Sequence, residues 1–236
     1  MLLIKDASPE EKTEVLKQFA QFMQVDYESL LTLIPVATTC KFTKGTIIFR
    51  EHDAPEFLYI VQKGRVKCFK QSGTGKHFVA YVANIGGSLN GIAVFSGLPH
   101  FLSAQAIEDV TLLRIRREDY VQSVSKDKKS LTAIIMNMEQ ALRSSYDRMM
   151  DAVGESAIQR VCNVLYMLRG KFGTVLQFSG EEIGELSGIT TETTIRILSK
   201  LKQLKVIDSS RREIHILDDL ALKDMSNFPE HSPGRA

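Results

Sequence analysis

Hydrophobic and polar positions follow four different rhythms along the chain, and each change of rhythm predicts a change of element. Residues 8 to 34 open with Ser8-Pro9-Glu10-Glu11 and carry Phe19, Phe22 and Met23 on one face, which predicts a helix. From Cys40 to about Arg116, short β-rich runs take over: Thr46-Ile47-Ile48-Phe49, Phe57-Leu58-Tyr59-Ile60-Val61, Val66-Lys67-Cys68-Phe69, Phe78-Val79-Ala80-Tyr81-Val82 and Val110-Thr111-Leu112-Leu113. Gly45, Gly64, Gly73, Gly75, Gly86, Gly87 and Gly97 punctuate them, and this spacing predicts an antiparallel sandwich, roll or barrel. Between residues 128 and 153 a heptad rhythm appears, with Leu131, Ile135, Met138, Leu142, Ser145, Met149 and Ala152 separated by four and three residues in turn. The alternatives are a homodimer helix and an amphipathic helix lying on its own domain. The narrow seam and its charged flanks, Arg143, Asp147 and Arg148, favour the first. Val153-Gly154-Glu155 then reads as a hinge.

The last rhythm is that of short capped helices. A helix over Ala157 to Arg169 ends in the turn Gly170-Lys171-Phe172-Gly173. Ser179 then begins a capping box completed by Glu182, Gly188 supplies a tight turn, and Thr190 caps a second helix whose positive end suits Glu192. Ile183, Leu186, Ile195 and Leu198 are expected to face inward, leaving Thr191, Glu192 and Arg196 outward. That is how a helix-turn-helix presents itself to the DNA major groove. Val206-Ile207 and Ile214-His215-Ile216, joined through Ser209-Ser210-Arg211-Arg212, suggest a small hairpin or wing, and residues 227 to 236 a flexible tail.

Composition narrows the function. The 236 residues suit one large domain or two modest ones, and a net charge of +2 leaves nucleic-acid binding to local placement of charge. Residues 157 to 213 hold nine Lys or Arg against six Asp or Glu. The excess lies at Arg196, Lys200, Lys202, Lys205, Arg211 and Arg212, a modest footprint suited to a dimer. Cys40, Cys68 and Cys162 are far apart, so a disulfide framework is not expected and reduced thiols point to a cytoplasmic location. The N-terminus lacks the layout of a signal peptide, and no run approaches the roughly 18 apolar residues of a membrane span.

The order β-roll, long helix, winged helix-turn-helix resembles the Crp/Fnr family of the cyclic-AMP receptor protein and the fumarate–nitrate regulator. Lys44-Gly45-Thr46-Ile47-Ile48-Phe49-Arg50-Glu51, Phe57-Leu58-Tyr59-Ile60-Val61 and Gly64-Arg65-Val66-Lys67 look like the family's opening strands. Gly188-Ile189-Thr190-Thr191-Glu192-Thr193-Thr194-Ile195-Arg196 looks like its recognition-helix signature. The resemblance implies an α+β fold: an N-terminal helix and jelly-roll-type, cyclic-nucleotide-binding-like β-roll over 1–125, a dimerisation helix and hinge over 126–154, a winged helix-turn-helix over 155–226, and the tail 227–236. It implies a homodimeric, effector-responsive transcription regulator that reads a pseudo-palindromic operator in double-stranded DNA and contacts RNA polymerase. Glu192 and Arg196 would read bases, a carboxylate accepting from cytosine N4 and a guanidinium donating to guanine O6 and N7. Ser179, Thr190, Thr193 and Lys200 would meet phosphates, and Thr191 and Thr194 would complete the DNA-binding set. The family often has Arg at the position of Thr191, so the preferred half-site is expected to differ from the best-known operator.

The sensory half departs from the family more than it matches. Members that bind cyclic nucleotides use a Glu for the ribose and an Arg before Ser-Ala for the phosphate. Here Ser88 or Gly91 takes the Glu position and Leu102 the Arg position, residues 57 to 107 contain no Asp or Glu, and no Arg lies between Arg65 and Arg114. Neither cyclic AMP nor an iron–sulfur cluster is expected, the latter because no cysteine precedes Cys40. A small organic or anionic effector, or haem carrying a gas, stays open. The first would sit between the turn Gly86 to Gly91 and the long helix, touching Gly87, Ser88, Leu89, Asn90, Ser103, Ile134 and Met138. Haem would take His77 or His100 as axial ligand, and Cys68, Met136 and Met138 are further candidates by their place in the sequence. Cys68 and Cys162 are also possible redox sensors. An enzyme of the cupin architecture is not expected, since the five histidines are isolated and no nucleophile elbow or phosphate loop occurs. A sensor that binds protein and not DNA is the alternative function.

Overall fold

The computed structural model describes residues 2–3, 6–73, 75 and 77–226; the predicted tail 227–236 lies outside them. The chain divides into two compact units, Met1–Ala141 and Leu142–Ala236.

In the first unit, strand β1 (Leu2–Leu3) precedes helix α1 (Pro9–Met23), which Ser8 caps through a reciprocal box with Glu11. The helix expected over 8 to 34 is broken. Gln24 turns left-handed (φ 54°), its N–H bonds to Ala20, and Val25 enters the core before helix α2 (Tyr27–Leu30) and a 3₁₀ turn, Leu31–Leu33. Strands β2 (Thr38–Phe42), β3 (Ile47–Phe49), β4 (Phe57–Lys63), β5 (Val66–Gln71) and β6 (His77–Ala83) follow, then helix α3 (Gly91–Ser96), β7 (Ser103–Ala106), β8 (Val110–Arg116) and helix α4 (Arg117–Val124). They form two four-stranded antiparallel sheets, β1-β2-β8-β4 and β3-β7-β5-β6. The predicted β-roll is therefore present.

The sheet β1-β2-β8-β4 is covered on both faces, which is why β4 and β8 carry buried apolar residues at both odd and even positions. Successive side chains of a strand point to opposite faces. In β4, Leu58 and Ile60 join one core cluster and Val61 the other; in β8, Leu113 and Ile115 join the first and Val110 and Leu112 the second. The first cluster packs helices against the sheet, with Leu16, Phe19, Leu30 and Tyr120. The second fills the roll with Cys40, Cys68, Leu89 and Ala104. Each fully buried Leu or Ile here contributes about 2 kcal/mol relative to exposure.

Helix α5 (Lys128–Gly154) begins where Asp127 accepts from the N–H of Ser130, and its first turns lie on the first unit. Ser130 accepts from the Asp26 N–H, Asn137 donates to the Met23 carbonyl, and Ala133 and Ile134 are buried. On the other face Ile135, Met138, Leu142 and Met149 are exposed, so four of the seven seam residues show large apolar surface.

The second unit contains helix α6 (Ala157–Phe172), β9 (Val175–Leu176), helix α7 (Gly180–Ser187), helix α8 (Thr191–Gln203), β10 (Ile207–Ser209), β11 (Ile214–Ile216) and helix α9 (Asp219–Met225). The predicted turn at Gly170 is part of α6, which runs on to Phe172 before Gly173 ends it. The wing hairpin is present and gains β9 as a third strand, in the order β10-β11-β9. Helix α9 is fastened by the pair Arg169–Asp219 at 2.7 Å and by the fully buried Leu222.

Gly64, between β4 and β5, has φ +84°, and a Cβ there would stand 2.7 Å from the Asp109 carbonyl oxygen. Gly170 meets nothing within 4 Å. Gly64→Ala should therefore cost about 2 kcal/mol or more, whereas Gly170→Ala should be neutral or stabilise by up to about 1 kcal/mol. Urea unfolding of the two variants checks this, and equal losses would contradict it.

Candidate nucleic-acid interface

The geometry of the helix-turn-helix starts at its caps. Ser179 Oγ accepts from the Glu182 N–H at 3.2 Å, and a Glu182 oxygen accepts from the Ser179 N–H at 2.6 Å. Gly188 ends α7 in the left-handed region (φ 65°), as the sequence predicts. Thr190 caps α8 by accepting from the Thr193 N–H. Glu192 stands in the first turn, where the helix dipole favours a negative charge.

The two helices approach closely at Gly184. A Cβ at that position would lie 3.0 Å from both the Ile189 carbonyl oxygen and Thr194 Oγ1. Thr194 is fully buried, and its hydroxyl donates to the Thr190 carbonyl at 3.0 Å, so burial leaves no hydroxyl unsatisfied. The buried stripe of α8 is Thr194, Leu198 and Leu201. This corrects two expectations. Ile195 is not on the inward stripe but 53% exposed. Thr194 is not a DNA-contacting group but part of the packing between α7 and α8.

The remaining residues of the set are accessible to different degrees. Thr190, Thr191, Glu192, Arg196 and Lys200 are exposed, while Ser179 and Thr193 are half-buried. Arg196 Nη2 donates to Thr193 Oγ1 at 3.3 Å, so Thr193 helps to aim the guanidinium. Of the six cations in the footprint, Lys202 is engaged at the wing, 2.6 Å from Asp208 and 3.1 Å from the Ser209 carbonyl. That hydrogen bond holds the Asp208 carboxyl below its usual range. Arg212 stands 3.9 Å from Glu182, and Arg211 is exposed.

Arg148 has a role the sequence did not signal. Read as a charged flank of the seam, it instead donates from Nη2 to the Leu186 carbonyl at 2.8 Å, supplying one of the donors that the end of α7 lacks. Asn163 of α6 likewise donates to Asp151 of α5 at 3.2 Å.

In the roll, the segment Gly87–Asn90 is stitched to neighbouring strands. The Val61 N–H donates to the Gly87 carbonyl, Ser88 bridges to Ile60, and the Leu89 N–H donates to the Tyr59 carbonyl. The Asn90 N–H donates to the Tyr81 hydroxyl at 2.7 Å. Leu89 and Asn90 are buried, and Ser103 Oγ accepts from the Glu51 N–H at 2.9 Å. The lining expected to join this segment to the long helix is not formed as predicted: Ile134 lies in the helix-side cluster, Leu89 in the roll cluster, and Met138 is exposed. Leu102, the residue before Ser103, is buried in the roll cluster.

The haem candidates are engaged as well. His100 is buried, stacks on Phe49 with centroids 3.8 Å apart, and has Nδ1 3.2 Å from Asn90 Nδ2. The Asn90 Oδ1 is buried without a hydrogen-bond partner. His77 tilts over Phe69 at 4.3 Å, with Nδ1 3.5 Å from the Lys67 ammonium. Among the described residues no group of three or more His, Cys, Asp or Glu is placed to hold a metal ion. The three thiols are buried, and burial pushes Cys40 and Cys162 up to about 11.

Two units with these features, a β-roll and a winged helix-turn-helix, have the architecture of a DNA-binding transcription regulator. Comparison with known proteins makes the class specific. The profile of the Cyclic nucleotide-binding domain matches residues 39–127, and that of the Crp-like helix-turn-helix domain matches residues 159–225. The chain belongs to the Crp/Fnr family. It is 25% identical over 190 residues to the transcriptional activator protein Anr of Pseudomonas protegens, covering 76% of each chain. It is 25% identical over 187 residues to the cyclic AMP receptor protein of Thermus thermophilus, covering 78% of this chain and 86% of that one. In fold it is similar to the solved structure of FixK2 from Bradyrhizobium japonicum, with TM-score 0.75, 24% identity, and coverage of 82% of this chain and 99% of that one. No helix among the described residues is long and apolar enough to cross a membrane.

The buried His100 makes stability depend on pH. Burial lowers its proton affinity below the usual 6.5, with the Asp53 carboxylate opposing in part. Below about pH 6.5 the unfolded chain takes up this proton while the folded chain resists it. Stability is thus full above that pH and falls as pH drops towards the folded value. His100→Gln should flatten this part of the profile in urea unfolding between pH 7 and 5; an unchanged slope would show that another group is responsible.

Proposed function

We propose that the protein is a homodimer that reads a pseudo-palindromic operator, one α8 in each of two successive major grooves. The observation that carries this reading is the exposed start of α8, where Thr191, Glu192 and Arg196 project from a helix whose opposite face is locked by Thr194, Leu198 and Leu201. Glu192 and Arg196 read base edges, and Ser179, Thr190, Thr193 and Lys200 set the register through phosphates. Segment 126–154 supplies the dimer seam, with the exposed Ile135, Met138, Leu142 and Met149 as its apolar positions. The roll 1–125 receives the signal, the unit 155–226 delivers it in the cytoplasm, and RNA polymerase is the further partner.

The signal is chemically distinct from a cyclic nucleotide. A small organic or anionic molecule suits the roll better than haem, because axial ligation by His100 or His77 would displace the stacking and polar contacts that each ring makes. The effector set that fits this reading is Gly87, Ser88, Leu89, Asn90 and Ser103, without Ile134.

Arg196→Ala should lose about 1–3 kcal/mol of operator affinity per half-site while non-specific binding stays nearly the same. Gel shifts with an operator selected from random duplexes measure both. A variant that binds the operator at full strength would remove Arg196 from the base-reading set, and a wild-type chain that selects no sequence would favour a protein-binding sensor instead. In sedimentation analysis the wild-type chain should run as a dimer and Leu142→Glu as a monomer, since burying that carboxylate at the seam costs several kcal/mol. A wild-type monomer would exclude the seam.

A further inference from the structure

We infer that Arg148 is a positioning residue: its grip on the end of α7 holds the recognition helix at a set distance from the dimer seam, and so fixes the half-site spacing that the protein accepts. This rests on the proposed dimer and on the reading of DNA by α8, and adds no contact with the bases.

The residues concerned all lie in the second unit, which includes the last turns of α5 from Leu142 onward. Arg148 stands next to Met149 of the seam, on a flank where a charged side chain ordinarily pairs with the partner helix. Here it is half-buried and turned to its own unit, with Nη2 donating to the Leu186 carbonyl at 2.8 Å. That carbonyl belongs to the last turn of α7, two residues before the left-handed Gly188 from which the chain turns into α8. A helix end carries partial negative charge and carbonyls without partners, and a guanidinium suits both. Arg160 of α6 approaches the same turn: a Cβ on Gly188 would lie 3.8 Å from its Nη1.

A second link runs beside the first. Burial works against the charge of Arg148, and the Asp151 carboxylate one turn on works for it. Asp151 also accepts from Asn163 Nδ2 of α6 at 3.2 Å, and Asn163 is buried with its Oδ1 unpartnered. An apolar residue would serve that core position better, so the bond to α5 is what the amide contributes. Together the two links fasten α6 and α7 to the stretch of α5 that bears Met149 and Ala152. Helix α8, packed closely on α7 at Gly184, follows.

The links exist before DNA is bound, so they add nothing to affinity for an operator whose half-sites match their geometry. An operator one base pair longer or shorter displaces a half-site by about 3.4 Å along the axis and about a tenth of a turn. Reaching it means breaking the links.

The test uses the full chain, an operator selected from random-sequence duplexes, and copies of it lengthened or shortened by one base pair at the centre. Arg148→Met keeps an unbranched stem and removes the donor. It should bind the selected operator within about twofold of wild type, yet bind the altered ones about tenfold tighter than wild type does, the weight of one charge-assisted hydrogen bond. Arg148→Lys, which keeps the charge and a donor, should retain most of the wild-type discrimination. Asn163→Leu, close in volume, should relax it in the same direction as Arg148→Met, and carries the test if urea unfolding shows that Arg148→Met does not fold. A role in stability alone would weaken binding to all three operators together. Variants that rank the operators as wild type does, or lose all three equally, overturn the inference while leaving the DNA-reading dimer intact. A wild-type chain indifferent to spacing, or one that binds single half-sites as well as paired ones, overturns both.

Discussion

The approach of α7 to α8 at Gly184 is the constraint on which the reading surface depends. Two polar oxygens, the Ile189 carbonyl and the Thr194 hydroxyl, lie where any side chain at position 184 would have to stand. Close contact fixes the rotation of α8 about its own axis. It turns Thr194 inward and so decides that Thr191, Glu192, Ile195 and Arg196 point out. The capping boxes at Ser179 and Ser156 and the left-handed Gly188 act on the same problem from the ends, by fixing where each helix starts and stops.

The sensor domain is organised by a different constraint, a sheet with no solvent face. Strands β4 and β8 serve a helical core with one set of side chains and the interior of the roll with the other. Their buried positions are accordingly apolar on both faces, and the polar Gln62, Lys63, Thr111, Arg114 and Arg116 are left outside the buried set. The roll interior gathers its polar groups elsewhere, at Tyr81, Asn90 and His100, where hydroxyl, amide and imidazole meet beside Phe49.

Much of this is legible in the sequence, and the failures have common causes. The five apolar runs all become strands, because β-branched and aromatic residues in short blocks between glycines leave few alternatives. Strands β2 and β7 escape notice: Thr38-Thr39-Cys40-Lys41 and Ser103-Ala104-Gln105-Ala106 are small or polar, and they enter the sheets because neighbouring strands need partners. The N-terminal helix is continuous by pattern but ends at Gln24, since tertiary packing draws Val25 inward. In α8 hydropathy favours Ile195 for the core, yet close packing needs the smaller Thr194, whose hydroxyl finds an acceptor within its own helix. Arg148 belongs to the same class. Its charge is visible in the sequence, but the carbonyl it serves becomes a partner only once the chain has folded.

The two-faced sheet has a consequence for how the sensor domain responds to change. It is a dividing wall one backbone thick, and protein interiors are packed too densely to absorb a displacement on one side. Residues adjacent in sequence are therefore assigned to different chambers, Ile60 to the helices and Val61 to the roll. Volume gained or lost in the roll presses through the wall on the cluster that includes Ala133 and Ile134 of α5. The long helix thus lies one sheet away from a chamber that it does not itself line.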